Sequence, residues 1–360
     1  MTRRRFRLFA AFALALAVGT LPFALGAQSP SATFAARLND QEFWKLVGEL
    51  SEANGSFRSD NLLSNEARLQ YVIPELQRIS KPGGAYIGVG PEQNFTLIAA
   101  LKPAVAFIVD IRRGNLDLQL LYKAVFEMSA DRADFVGRLF SRARPTTLRP
   151  KSSVGDIFAA YNRVEPSETL FNDNLKAVDS LLTSKHGYAL SADDLKGIEY
   201  VYNAFFTYGP AIQYSSSDGF GGGGEPSYVD IMVATDATGR QRGFLASDEA
   251  YAAVKDLEAR NLVVPVVGDF AGPKAIRGVG KYVRDRNGIV SAFYVSNVEQ
   301  YLRLFRNWGV FCANAQTLPG DESSVLIRAG RGGRVARGNT MTAEMVPMVN
   351  EMQACGNARF

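Results

Sequence analysis

The sequence is poor in the residues that most often build metal centres and catalytic relays. Among its 360 residues there is one histidine, His186, and there are two cysteines. A single histidine excludes multi-histidine metal sites, and it leaves only one possible imidazole base for a serine-type relay. We therefore expect no metal cofactor.

Net charge is also lacking once the first residues are set aside. The chain has 40 Lys and Arg against 36 Asp and Glu, but four of the arginines lie within residues 1–27. The remainder carries 36 charges of each sign, so it lacks the global field typical of a nucleic-acid-binding protein. We expect no nucleic-acid partner, and we interpret the basic residues within 138–151 and 328–337 as solvated surface in preference to polyanion contacts.

A continuous apolar run occurs near the start of the chain. Residues 3–7 are basic, residues 8–18 are apolar, and small residues follow at 24, 26 and 27, which is the order typical of a cleaved signal peptide over 1–27. The run is shorter than the roughly 20 residues that span a bilayer, so we expect no stable membrane insertion after cleavage. The arginines at 3–5 also resemble a twin-arginine signal, and either export route predicts a periplasmic or secreted protein.

The two cysteines, Cys312 and Cys355, are an even count for an oxidising compartment. We predict that they form a disulfide, which closes a loop of about 44 residues and ties the C-terminal segment to the rest of the protein. Two unrelated buried thiols are the alternative, because the sequence does not give their separation in space.

Hydrophobic periodicity predicts an α/β fold with a doubly wound, Rossmann-like sheet. Strand patterns cover residues 85–89, 105–109, 262–267, 289–295 and 325–327, with a further strand signal near Val310. The predicted parts of the chain are a linker at 28–37, an N-terminal helical cap at 38–84, the first half of the core at 85–129, a helical insertion at 130–261, the second half of the core at 262–330, and a C-terminal loop and helix at 331–360. The last helix is predicted over residues 342–355.

Glycine and acidic residues follow the first two strand patterns. Gly88 and Gly90 lie between a strand and a helix, where the backbone can approach a ligand closely. Asp110 lies 22 residues after Gly88, at the position from which a carboxylate reaches ribose hydroxyls. Together they favour a nucleotide-like ligand. The alternative for Asp110 is structural, either pairing with one of the next two arginines or capping the helix near Asn115.

Four motifs in sequence order resemble the first four motifs of class I S-adenosylmethionine-dependent methyltransferases, and the chain looks like a member of a bacterial family built on that core. The motifs are Tyr86-Ile87-Gly88-Val89-Gly90, Asp110, Gly268-Asp269-Phe270 and Phe293-Tyr294-Val295-Ser296-Asn297-Val298-Glu299. The resemblance covers residues 85–128 and 262–306.

This resemblance implies a role for each motif. Gly88 and Gly90 would line the methionine end of S-adenosylmethionine, and Asp110 would bind the ribose diol. Asp269 would bind the adenine amino group, with Phe270 beside the ring. The transfer site would be bordered by the candidate catalytic residues Ser296, Asn297 and Glu299.

Other residues are candidates for substrate contacts. Arg112 and Arg113 directly follow Asp110 and could anchor a phosphate or carboxylate, unless they are solvated. Tyr214 and Tyr228 flank the glycine-rich loop 215–224, which is interpreted either as a lid over the ligand or as disorder. We interpret His186 as a helix C-terminal residue in preference to a catalytic one.

The leading hypothesis is an exported, methyltransferase-like protein that binds S-adenosylmethionine or a related adenosyl ligand and an unknown substrate. The alternative is an exported, non-catalytic binding or interaction protein that keeps the Rossmann-like frame. A nicotinamide-dependent oxidoreductase is a third hypothesis, which the missing third glycine of its motif disfavours.

Overall fold

A six-stranded sheet lies at the centre of the described part of the chain. Its strands in chain order are β1 (Ala85–Gly88), β2 (Val105–Asp110), β3 (Val263–Val267), β4 (Val290–Ser296), β5 (Val325–Gly330) and β6 (Thr342–Pro347). In space the order is β3-β2-β1-β4-β5-β6, with β1 to β5 parallel and β6 antiparallel to β5. This confirms the predicted α/β class and a Rossmann-like strand order.

The computed structural model describes residues 33–66, 68–214, 225–330 and 342–357. The predicted signal peptide, the glycine-rich loop 215–224 and the Arg/Gly segment 331–341 lie outside these residues. Within the described ranges, no helix has the length and apolar character needed to cross a membrane.

Burial on both faces explains the composition of the central strands. All six residues of β2 are buried, and five of them are apolar. Phe107 of β2 lies in register with Ile87 of β1 on one side and Val264 of β3 on the other. Because these strands are parallel, their carboxyl ends lie at the same edge of the sheet.

Helices connect and cover the strands. They are α1 (Asp40–Leu50), α2 (Ile73–Ile79), α3 (Gln93–Leu101), α4 (Arg113–Met128), α5 (Arg132–Leu139), α6 (Val154–Tyr161), α7 (Glu168–Asp179), α8 (Ala192–Tyr208), α9 (Tyr228–Val233), α10 (Asp248–Ala259), α11 (Ala275–Arg284), α12 (Val298–Leu304), α13 (Trp308–Ala315) and α14 (Met348–Asn357). Helices α3, α4 and α10 pack together, and α11 packs against both α1 and α13. These two groups account for the burial of the sheet on both faces.

The helical insertion shares the hydrophobic core of the sheet's own helices. Phe135 of α5 lies 4.6 Å from Phe126 of α4 between ring centroids, and Phe126 lies 5.2 Å from Phe95 of α3. Phe244, which precedes α10, packs against the same three rings. The insertion is therefore packed onto the sheet's helices through a continuous aromatic cluster.

The C-terminal helix begins later than the sequence predicts. Residues 342–347 form β6, whose Glu344 lies opposite Arg328 of β5, and α14 follows from Met348. The prediction of a helix over 342–355 is therefore wrong in its first half. Pairing with the exposed edge of β5 gives these residues backbone hydrogen bonds, and this stabilisation outweighs the helix preference that the spacing of the methionines indicates.

The strand signal near Val310 is also wrong, because Val310 lies in α13. The neighbouring Phe311 is buried against Trp308 and Phe270, so packing of a helical face decides this short apolar run.

A disulfide joins the last two helices. Cys312 of α13 and Cys355 of α14 are buried, and their Cα atoms lie 5.6 Å apart. The predicted pairing is confirmed. It ties α14, which follows the edge strand β6, to the helix that precedes β5.

Candidate functional site

A cavity lies at the carboxyl edge of the sheet. It contains about 970 Å³ of atom-free space, part of which is open to solvent. Its wall includes Gly90 after β1, Asp110 of β2, Asp269 after β3 and Ser296 of β4. The strand order reverses between β1 and β4, which is the position at which doubly wound sheets bind ligands.

The turn after β1 is built around the side chain of Asn94. Its Nδ2 donates to the carbonyl oxygens of residues 89–91 at 3.0, 3.1 and 2.6 Å, and its Oδ1 accepts from Tyr86 Oη at 2.7 Å. A Cβ atom at Gly88 would overlap Asn94 Oδ1, whereas one at Gly90 would meet nothing within 4 Å. Gly88 therefore makes room for Asn94, and Gly90, with φ of +77°, lines the cavity.

The carboxylate of Asp110 is held by the arginine two residues later. The backbone N–H and Nε of Arg112 donate to Asp110 Oδ1 at 2.9 and 3.1 Å, and Nη2 donates to Oδ2 at 3.2 Å. Both side chains line the cavity and are only 6% and 10% exposed. Because a carboxylate oxygen accepts more than one hydrogen bond, Oδ2 retains acceptor capacity.

Arg113 points away from Arg112. Its Nε donates to Asp194 Oδ1 of α8 at 2.7 Å, and its backbone N–H donates to Asn54 Oδ1 at 2.7 Å. The structure thus brings Arg112 into the cavity wall and uses Arg113 to join α4 to the helical insertion.

The turn that carries Asp269 is held by a glutamate from the N-terminal part of the chain. Glu52 Oε2 accepts from the Asp269 backbone N–H at 3.2 Å, and its Oε1 accepts from the N–H groups of Lys274 and Ala275 at 2.8 and 2.7 Å. The carboxylate therefore satisfies backbone donors at the start of α11. This arrangement fixes the turn and leaves Asp269 partly exposed at the cavity.

Phe270 supplies an apolar part of the same wall. It is 2% exposed, and its ring lies 5.2 Å from Phe293 of β4 and stacks on Phe311 of α13 at 6.0 Å. The ring is thus fixed in the core below α13, with one part at the cavity.

β4 ends in an irregular turn that presents Ser296 and Asn297 to the cavity. The strand register shifts between Tyr294 and Ser296, and Ser296 has φ of +47°. A non-glycine residue in this left-handed region is strained and is often found at functional sites. Two of the three candidate catalytic residues therefore meet at the cavity wall.

The third candidate, Glu299 of α12, faces a different group. Its carboxylate lies 3.7 Å from Arg328 Nη1 of β5, which also contacts Glu351 of α14 at 2.7 Å. Burial raises the pKa of Glu299 despite this arginine. The contacts place its carboxylate in an ion-pair cluster beside the sheet.

Sequence reasoning missed Glu66, a buried acid behind the cavity wall. Its side chain is 1% exposed, and its Oε1 accepts hydrogen bonds from Tyr294 Oη at 2.8 Å and from Ser296 Oγ. Its Oε2 has no hydrogen-bond partner among the described residues, and burial raises the pKa of the carboxyl. A glutamate in the polar stretch Ser64-Asn65-Glu66 carries no periodicity signal that predicts burial.

A second buried acid, Glu92, lies just after the same glycine turn. Its Oε2 accepts from the Ser64 backbone N–H at 3.1 Å, while its Oε1 has no partner among the described residues. Burial raises the pKa of Glu92 to about 8, and the nearby carboxyl of Glu66 contributes to the increase. The two acids and the segment that carries Ser64 and Glu66 form the inner support of the cavity.

Aromatic residues line the outer part of the cavity. Tyr214, Phe57, Tyr301 and Phe305 are in its wall, and the rings of Phe57 and Tyr301 meet edge to face at 4.9 Å. Burial raises the pKa of Tyr214 to about 12, so its phenol stays neutral near neutral pH.

Tyr228, the other candidate beside the glycine-rich loop, is fully buried. Its ring lies 5.3 Å from Phe140 and 6.1 Å from Phe158, inside the helical insertion. The loop itself is outside the described residues, so the lid interpretation stays a prediction. Its flanks are joined by Gln213 Nε2, which donates to the Glu225 carbonyl at 3.0 Å.

His186 lies in a separate ionic cluster. It follows a helical turn over 180–185, as predicted, and its Nδ1 and Nε2 lie 2.8 Å from Asp40 and 3.0 Å from Glu127. Burial by itself would raise the pKa of Glu127, but His186 and Lys123 outweigh it and lower the value to about 2. The cluster ties α1 to α4.

The described residues contain no group of three or more His, Cys, Asp or Glu side chains arranged to hold a metal ion.

The comparison with protein families gives a match over most of the chain. The family described as "Domain of unknown function (DUF7790)" matches residues 62–151 and 152–354. The chain belongs to this family. The matched residues include all six strands, and they include Glu66 and Ser296. No curated protein matches the chain significantly.

Proposed function

We propose that this member of the DUF7790 family is an exported, methyltransferase-like protein that binds S-adenosylmethionine or a related adenosyl ligand. The observation that carries the proposal is the convergence of Gly90, Asp110, Asp269 and Ser296 from four strand ends on one cavity. An adenosyl ligand needs a close backbone approach, a carboxylate for its ribose and a partly apolar surface for its base.

Asp110 and Arg112 act together in this proposal. The ribose hydroxyls would donate to the free acceptor positions of Asp110 Oδ2, while Arg112 holds the carboxylate in place. The ion pair also keeps the charge of the buried carboxylate compensated before the ligand binds.

Asp269 and Phe270 form the base side of the proposed site. Asp269 accepts from the Ala271 N–H at 2.9 Å, which orients its carboxylate within the turn and leaves acceptor capacity for an exocyclic amino group. Phe270 offers the adjacent ring surface.

Methyl transfer depends chiefly on alignment of the donor and the acceptor, so a cavity without paired histidines suits it. Ser296 and Asn297 are the residues that we assign to the acceptor side. A non-catalytic binding protein on the same frame is the alternative, and it differs by showing ligand binding without methylation of any acceptor.

Calorimetric titration of the protein lacking residues 1–27 with S-adenosylmethionine, S-adenosylhomocysteine and NAD tests the proposal. We expect binding of the two adenosyl ligands in preference to NAD. Asp110→Ala should weaken their binding at least tenfold, since charge-assisted hydrogen bonds are each worth about 1.5 to 3 kcal/mol and about 1.4 kcal/mol is one decade.

Asp285→Ala is the matched control, because Asp285 is a half-exposed acid that pairs with Lys281 at 2.5 Å on α11. It should leave the affinity unchanged. Absence of adenosyl binding in the wild type, or unchanged affinity in Asp110→Ala, would refute the proposed site.

The proposed export rests on the sequence of residues 1–27, and the buried disulfide supports it because such bonds persist in oxidising compartments. Export in the folded state by a twin-arginine route would allow a ligand to be loaded first. Cell fractionation and N-terminal sequencing should find a cleaved chain outside the cytoplasm.

A further inference from the structure

We infer that the inner wall of the cavity, formed by Ser296 and Tyr294 in front of Glu66, recognises the protonated amine of a ligand whose body is aromatic or apolar. This inference names a substrate class for the proposed methyl transfer and rests on the proposed function for that role; the ammonium group is the recognised group and, because it has no lone pair, it is not itself the methyl acceptor.

The direction of the hydrogen bonds determines what the wall offers. Ser296 Oγ and Tyr294 Oη both donate to Glu66 Oε1. A hydroxyl has one hydrogen and two lone pairs, so each of these hydroxyls has committed its only hydrogen. What remains on these two oxygens is acceptor capacity, which matches a ligand that donates hydrogen bonds.

The carboxyl of Glu66 behind the wall favours a cationic donor over a neutral one. Glu66 is 1% exposed, and no ion pair within the described ranges includes it. A buried carboxylate without a cation is unfavourable, so a bound cation would stabilise its ionised form. An ammonium group that contacts Ser296 Oγ lies one hydrogen bond away from that carboxylate.

Other titratable groups near the wall leave Glu66 as the acid that sets this preference. Burial raises the pKa of Glu92, which follows the same turn, to about 8, so this carboxyl is largely protonated near neutral pH, and the Tyr86 hydroxyl is committed to Asn94. The cation of Arg112 in the same cavity is balanced by Asp110. The arginine at the cavity is therefore already paired, so its charge is offset where a ligand cation would bind.

The outer part of the cavity indicates the body of the ligand. Phe57, Tyr301 and Phe305 line it, and the side chain of Phe305 is 65% exposed although it is large and apolar. Exposed apolar surface beside a cavity is typical of a binding site for an apolar group. An arylalkylamine satisfies both ends, with its ammonium group at Ser296 and its ring at Phe57, Tyr301 and Phe305.

The experiment compares 2-phenylethylamine with its neutral isostere 2-phenylethanol by ligand-observed NMR titration near neutral pH. The wild type should bind the amine at least tenfold more tightly than the alcohol. Glu66→Gln should lower the affinity for the amine at least tenfold and leave the affinity for the alcohol unchanged. Phe305→Ala, at an exposed position, should weaken the binding of both probes equally.

Glu258→Gln is the matched control, because Glu258 is also a buried acid whose Oε1 has no hydrogen-bond partner within the described part of the chain, but it lies on α10, outside the cavity wall. It should change neither affinity. Equal binding of the two probes by the wild type would overturn the inference without any variant, as would equal losses for both probes in Glu66→Gln. If Glu66→Gln does not fold, Ser296→Ala replaces it with the same expected loss.

The two proposals fail separately. Binding of the amine by a protein that binds no adenosyl ligand supports the amine site and refutes methyl transfer. Binding of S-adenosylhomocysteine with no preference for the amine overturns the amine site and leaves the adenosyl site standing.

Discussion

Replacement of Glu92 by glutamine should change how the stability of the protein depends on pH. Glu92 is fully buried, one of its oxygens has no partner within the described residues, and burial raises its pKa from 4.5 to about 8. Glutamine keeps the size of the side chain and an oxygen that can accept from the Ser64 N–H, but it does not titrate.

The sign and size of the effect follow from proton linkage. A carboxyl with a raised folded-state pKa holds a proton that the unfolded chain has lost, so stability falls as pH rises from the unfolded pKa of 4.5 to the folded value of about 8. Each pKa unit corresponds to about 1.4 kcal/mol, which gives a loss on the order of 5 kcal/mol across that window. Below pH 4.5, the contribution of the protonated acid to stability is fully present.

Urea unfolding, monitored by circular dichroism at several pH values from about 5 to about 9, gives the free energy of unfolding of the variant and of the wild type. The effect is the difference between the two at each pH. Other buried acids, such as Glu258 and Asp117, contribute equally to both proteins and cancel in the difference. We expect the free energy of unfolding of Glu92→Gln, relative to that of the wild type, to rise by a few kcal/mol from the low-pH end of the range to the high-pH end.

Glu75→Gln is the control for the Glu92 experiment, because Glu75 lies on the surface in contact with Arg78 and its pKa is lowered by that arginine. Its curve of unfolding free energy against pH should run parallel to that of the wild type above about pH 5. Parallel curves for Glu92→Gln would show that Glu92 is ionised in the folded protein, which refutes the reasoning.

Further predictions concern the disulfide, the ionic cluster around His186 and the backbone strain at Ser296. Cys355→Ser should lower the free energy of unfolding by about 4 kcal/mol, because the bond to Cys312 closes a loop with a sequence separation of 43, and a melt of wild type with and without reductant should reproduce the loss. Wild-type stability should fall as pH decreases from about 4.5 toward the lowered pKa of Glu127, about 2, and Glu127→Gln should reduce that slope in acid unfolding. Ser296→Gly should melt a few degrees above Ser296→Ala, because both variants lack the hydroxyl that donates to Glu66 and only glycine relieves the φ of +47°, and both should weaken amine binding; an equal or lower melting temperature for Ser296→Gly would contradict the strain argument.

Local signals in the sequence were enough to predict the central strands, the disulfide and the position of Asp110. The apolar runs at 85–89 and 105–109 predict β1 and β2, because strands buried on both faces must be apolar throughout. The pairing of Cys312 with Cys355 followed from their number and from the expected compartment. The position of Asp110 at a strand end followed from its place after an apolar run.

Two elements near the C-terminus show where local signals fail. Residues 342–347 and the run around Val310 are short, and each fits a helix or a strand. The free edge of β5 turned the first into β6, and packing of Phe311 against Trp308 and Phe270 fixed the second as α13. Such choices depend on partners that are distant in the sequence.

The inner wall of the cavity was decided by the tertiary structure alone. Glu66 and Ser296 are 230 residues apart, and they meet because the polar segment before α2 lies across the ends of β1 and β4. The sequence identified Ser296 from its place after a strand, but the burial of Glu66 depends on what covers it and leaves no trace in its neighbours. The same holds for Arg112, whose contact with Asp110 is local but whose burial depends on the chain around Asp60, the residue whose carbonyl accepts from its guanidinium. Periodicity records which residues face a core, whereas the pairing of polar groups across a cavity depends on how separate segments are brought together.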